Sequence, residues 1–134
     1  MRALLGRFAP QAYALLRIIS GLLFATHGSQ KLLGFPQGPG GTLPRMLFIA
    51  GCIELIGGLM MTFGVLTEWA AFISSGEMAV AYFLAHAPHH PIPLVNKGEL
   101  AVLYAFLFLY IAARGAGIWS IDGAVRKPAG VNRS

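Results

Sequence analysis

The sequence predicts an all-α fold, an integral membrane four-helix bundle. Three observations carry that expectation. Mean hydropathy is +0.66 with only 11% charged residues, an unusual balance for a soluble domain. Four apolar stretches approach or reach the length needed to cross a bilayer. Breaks rich in Pro and Gly separate them. At 134 residues the chain reads as one domain.

The net charge of +5 does not point to nucleic acid, because the basic residues are scattered singly among apolar spans. The one cysteine, Cys52, lies inside an apolar segment, which leaves no internal disulfide, no Cys-x-x-Cys pair and no cysteine-based zinc site. Thiol chemistry would need a partner protein.

Residues 1–10 carry Arg2 and Arg7 and form a short basic segment suited to the interface, with Pro10 placed to open the first helix. The first span covers about 11–34. In it Arg17, Ser20, Gly21, Phe24, His27, Gly28 and Lys31 recur at helical spacing and make an inward stripe of polar and small residues. Ile18, Ile19, Leu22, Leu23, Ala25 and Thr26 fall on the face left for lipid. A charge near the bilayer centre costs roughly 2.5 to 3.5 kcal/mol, so Arg17 and Lys31 need partners or must snorkel. Arg17 also interrupts the apolar run, and no small-x-small cleavage site follows, so the span is read as retained and not as a signal peptide.

Residues 35–42, with Pro36, Gly38, Pro39, Gly40 and Gly41, form a loop outside the hydrocarbon. The second span, about 43–66, places Gly51, Glu54, Gly58 and Thr62 on one side, and its glycines permit close approach to a neighbouring helix. Thr67 and Glu68 make a tight turn into the third span, 68–86, with Glu68 at the positive helix end and Trp69 as an interfacial anchor. Ala70, Ser74, Glu77 and Ala81 repeat the pattern of a carboxylate among small residues. Three prolines between His86 and Leu94 end that helix in a second outer loop. The fourth span covers 96–114, opened by a capping box between Asn96 and Glu99 and followed by a basic tail, 119–134. Arg2, Arg7, Arg114, Arg126, Lys127 and Arg133 share one side, against Lys31, Arg45 and Lys97 on the other, so both termini are expected in the cytoplasm.

The charged residues admit two readings. Glu54, Glu77 and Glu99, with Arg17, Lys31, His27 and Asn96, could line a polar pocket for a quinone head group, a small oxyanion or a proton. They could also be ion pairs that fix helix register. Glu54 and Glu77 are the candidates for proton relay, and Arg17 and Lys31 for holding negative charge. His86, His89 and His90 form an H-x-x-H-H group able to bind Zn or Cu, although a solvated loop is the plainer reading and no metal is assigned. Tyr104, Phe106, Phe108 and Tyr110 on the last helix face lipid or core, and a quinone ring would stack there.

Four features together resemble the DoxX family of small four-helix bacterial membrane proteins. They are Arg17 with Gly28 to Lys31-Leu32; Gly51-x-x-Glu54-x-x-Gly57-Gly58 through Gly64; Asn96-x-Gly98-Glu99; and Gly115-x-Gly117-x-Trp119-Ser120-x-Asp122. The resemblance spans about 15–122. It implies a multi-pass inner-membrane protein associated with redox and thiol-stress systems, related to DoxD-type subunits of thiosulfate:quinone oxidoreductases. The leading expectation is therefore a membrane subunit of a redox system, linked to a quinone and to a soluble redox partner. A small-solute or proton carrier, with its path between protomers of a homo-oligomer, and a non-catalytic anchor for a soluble protein are the alternatives.

Overall fold

The computed structural model describes residues 1–38 and 42–126, which are helical and contain no strand. Pro39, Gly40 and Gly41 of the first loop, and Lys127 and Arg133 of the tail, lie outside the described residues. A short helix α1 (Arg2–Leu5) continues through a 3-10 turn into α2 (Ala9–Leu33). Pro10 sits in the first turn of α2, where its missing N–H leaves no helical bond unmade. Gly34 ends α2 at φ +68, its amide closing on the carbonyl of Gln30.

The inward stripe of α2 is seen as expected: Arg17, Ser20, Gly21, Phe24 and Gly28 are buried, while Leu15, Ile19, Leu22 and Leu23 are exposed. Ala25 is the exception among the residues assigned to lipid, being 4% exposed. The reason is the closeness of α3 (Arg45–Phe63). A Cβ on Gly58 would stand 2.5 Å from the Ala25 nitrogen, and one on Gly28 would run into the backbone of Leu55. The two backbones touch along a seam that admits only small residues.

After Gly64 and Leu66, both at positive φ, α4 (Thr67–Ala81) runs into a π-helical turn, Tyr82–His86. A one-turn helix, α5 (Pro93–Asn96), precedes α6 (Glu99–Arg114), and α7 (Ile121–Arg126) follows it. The fourth helix thus starts three residues later than the expected 96. Asn96 closes α5, Lys97 turns at φ +61, and Gly98 caps α6 without a side-chain bond. The Asn96–Glu99 capping box is not formed; the Asn96 carboxamide oxygen accepts from the Gly98 amide at 2.8 Å instead.

α2 packs along α3, α4 along α6, and α3 against α4. Phe24, Tyr104 and Phe108 form the aromatic centre, with Phe24 4.8 Å from Phe108 and Tyr104 stacked on Phe108 at 5.0 Å between centroids. Phe106 and Tyr110 of the same helix point outward. Two helical runs, Arg2–Leu33 and Arg45–Phe63, are long and apolar enough to cross a membrane.

Candidate functional site

The α2–α3 seam fixes what happens at one end of the molecule. Held against α3 at Gly28, α2 brings Lys31 over Glu54, and the ammonium reaches both carboxylate oxygens at 2.6 and 2.5 Å. The Glu54 side chain is 3% exposed and that of Lys31 29%. Beside this pair lies a cavity of about 390 Å³. His27 and Phe24 of α2, Glu77 and Met78 of α4, His86 of the π turn, Lys97, and Ala101 and Tyr104 of α6 are among the residues that line it.

Its polar groups are unequally satisfied. Glu54 is fully engaged by Lys31. Glu77 is half-buried, and its Oε2 is buried with no hydrogen-bond partner among the described residues. His27 turns its ring edge-on to Tyr104 at 6.3 Å. The His86 Nδ1 lies 3.0 Å from the carbonyl oxygen of Asn96, and its ring stacks on Tyr82. The structure therefore gathers His27, Lys31, Glu54 and Glu77, four of the residues expected to bind a ligand, around one cavity.

It separates three others. Asn96 is buried behind the wall, donating to the His90 carbonyl at 2.7 Å and to the Tyr82 hydroxyl at 3.2 Å. Glu99 is exposed at the start of α6 and does not line the cavity. Arg17 lies 14 residues before Lys31 on α2, roughly 21 Å along the axis. It is fully buried at the opposite end, where it donates to five carbonyls: Met61 at 2.6 Å and Thr62 at 3.1 Å in the last turn of α3, and Ala116 at 2.8 Å, Ile118 at 3.1 Å and Trp119 at 2.8 Å after α6. It satisfies orphan carbonyls there and does not line this cavity.

The Gly115 to Asp122 segment is docked at that same end. The Tyr13 hydroxyl donates to the Gly115 carbonyl at 2.5 Å. Asp122 accepts from the amides of Leu66 and Thr67, each at 2.9 Å, and so caps the start of α4 from a distant part of the chain. Burial opposes ionisation of Asp122. The Thr67 amide, the nearby Thr67 hydroxyl lying outside good hydrogen-bond geometry, the Leu66 amide and Arg126 outweigh it, holding the carboxyl below the ordinary range.

The histidine group is split. His86 lines the cavity, whereas His89 is exposed and His90 accepts from the Ile92 amide at 3.1 Å. No three His, Cys, Asp or Glu side chains among the described residues are placed to hold a metal. Among the polar and charged wall residues, His86 and Lys97 are the two that spacing did not assign to the pocket. An α-helical period puts residue 86 opposite residue 77, but a π turn winds less per residue and rotates His86 back toward the Glu77 face.

The DoxX family model matches residues 12–87. The chain is 42% identical over 125 residues to an uncharacterised protein of Haemophilus influenzae, covering 88% of this chain and 93% of that one. It is 26% identical over 118 residues to "Putative oxidoreductase CatD" of Bacillus subtilis, covering 84% and 86%. It is 30% identical over 122 residues to "Inner membrane protein YqjF" of Escherichia coli, covering 83% and 89%. No solved structure matches.

Proposed function

The chain belongs to the DoxX family of membrane proteins, and on that premise we propose that it is a multi-pass inner-membrane subunit of a redox system whose cavity binds the head ring of a quinone. The observation that carries this reading is the inside-out distribution of polarity. A Lys31–Glu54 ion pair and a Glu77 oxygen with no partner among the described residues face a cavity within the helices. The outer faces carry Leu22, Phe48, Ile56, Phe72, Ile73, Leu103 and Phe106, all about half exposed or more. Charge inside and aliphatic surface outside suit lipid as the solvent of all four long helices. The relatives named as an inner membrane protein and as an oxidoreductase support the location and the chemistry.

A planar ring is a better fit than a sulfur oxyanion. Lys31 is already neutralised by Glu54, and the other wall cation, Lys97, is solvent-exposed and offset by a second carboxyl, Glu77, so the cavity offers little net attraction to an anion. Phe24 and Tyr104 supply aromatic surface, and the volume falls within the range of small-molecule sites. Glu54 holds Lys31 in place, and Glu77 is the group free to pass a proton. The lone Cys52 offers no disulfide relay, so electrons are exchanged through a partner protein.

The test is mass spectrometry of lipids extracted from protein purified in mild detergent, together with titration of a short-tailed quinone analogue. Wild type is expected to retain quinone and bind the analogue, and folded Lys31→Ala and Tyr104→Leu variants to lose both. A wild type that carries no quinone and binds none would sink the reading. Recovery of a sulfur oxyanion instead would replace the ring with that ligand.

A further inference from the structure

His86 enters the cavity wall from the π turn with a defined tautomer. Its Nδ1 is 3.0 Å from the Asn96 carbonyl oxygen, which can only accept, so Nδ1 carries the proton and Nε2 of the neutral ring keeps its lone pair. Asn96 is itself immobilised: it is 6% exposed, and its carboxamide bonds to the His90 carbonyl, the Tyr82 hydroxyl and the Gly98 amide. The tautomer is thus built into the wall. Glu77 adds a second accepting group, because a carboxyl keeps an accepting oxygen in either protonation state, and its buried Oε2 has no partner among the described residues. Lys31, the cation beside them, already gives two bonds to Glu54, and the other wall cation, Lys97, is exposed, so its N–H groups are met by solvent. The groups that need a partner from a ligand are therefore the acceptors at His86 and Glu77, since a buried acceptor left unpaired is costly.

Resting on the quinone reading, we infer that the cavity holds the reduced, hydroxyl-bearing form of the ring in preference to the oxidised form, with His86 Nε2 and Glu77 accepting its O–H bonds. An oxidised quinone presents carbonyl oxygens, which set lone pair against lone pair at His86. A hydroquinone presents a donor at each oxygen. His86 is in this way the residue that distinguishes the two redox forms, and Asn96 is the positioning residue behind it.

The experiment measures binding of one short-tailed benzoquinone analogue, oxidised and reduced, to the full chain in neutral-lipid nanodiscs under anaerobic conditions. The reduced form is expected to bind about tenfold more tightly, the effect of one hydrogen bond to a buried acceptor. His86→Phe, which keeps a ring against Tyr82, weakens binding of the reduced form, relieves the repulsion felt by the oxidised form and so lowers the ratio toward one. His86→Gln, whose amide oxygen can accept, retains part of the preference and stands in if His86→Phe fails to fold. Equal binding of both forms by wild type, or a preference unchanged in a folded His86 variant, overturns the inference and leaves the quinone reading intact. Failure of either form to bind overturns the quinone reading itself.

Discussion

Arg17 has five N–H donors, and all five are engaged by backbone carbonyls of α3 and of the segment after α6. A planar fork that meets five acceptors from two parts of the chain is work for which lysine, with three donors on one nitrogen, is a poor substitute. Replacing Arg17 with Met leaves several buried carbonyls without donors, and at about 1–3 kcal/mol for each such group the loss should reach roughly 3 kcal/mol or more. Arg17→Lys should fall between Met and wild type. Thermal unfolding in detergent checks the ranking, and ligand content per folded molecule should stay constant across the series. A ligand lost from a still-folded Arg17→Lys protein would contradict the structural role. Helical spacing identified the face of α2 that carries Arg17 and Lys31, and both do point inward. Spacing carries no information on what meets that face at each height, which is why two cations of one stripe serve opposite ends of the molecule.

Contact between α2 and α3 is a matter of backbone, and glycine decides it. A Cβ at Gly28 would meet the Gly51 carbonyl oxygen at 2.6 Å as well as the backbone of Leu55, and backbone cannot swing aside as a side chain can. Gly28→Ala should therefore cost about 1–3 kcal/mol, the usual range for overpacking, and should part Lys31 from Glu54 as the helices separate. Gly76 of α4 is the control, since a Cβ there meets nothing within 4 Å. Gly76→Ala should be neutral or stabilise by up to about 1 kcal/mol through helix propensity. Paired melting curves test both, and equal effects at the two sites would defeat the argument. The glycine-rich pairing of these helices was legible from Gly51 and Gly58, as was the inward Glu54, whereas Gly57 makes room for Ser74 of α4. The start of α6 was not. Asn96 and Glu99 match a capping box in letters, but Pro93 opens a separate turn that Asn96 must close, and its side chain is drawn to Gly98, Tyr82 and His90. Likewise the π turn that brings His86 to the cavity breaks the period on which the sequence reading relied.

At the scale of the molecule, the chain places two different kinds of order at its two ends. Arg17, Tyr13 and Asp122 tie the start of α2, the α3–α4 turn and the segment after α6 into one hydrogen-bonded end. Lys31, Glu54, Glu77 and His86 form the other, where the cavity lies. The first end also carries Arg2, Arg7, Arg114 and Arg126, and the second Lys31, Arg45 and Lys97. If the bundle spans the bilayer, that asymmetry sets the tied end in the cytoplasm and opens the cavity toward the outer face. In that orientation α6, 16 residues and about 24 Å long against a hydrocarbon core of about 30 Å, would leave α5 and the Lys97 turn to complete its crossing on the outer side, beside the cavity. Two exposed positions report the orientation: His89 beyond the π turn and Val125 in α7. In a Cys52→Ser background, an impermeant maleimide added to intact spheroplasts should label His89→Cys and spare Val125→Cys until the membrane is broken. Labelling of Val125→Cys alone would invert the molecule and turn the cavity to the cytoplasm, while labelling of both before lysis would mean that the helices do not return the chain to its starting side.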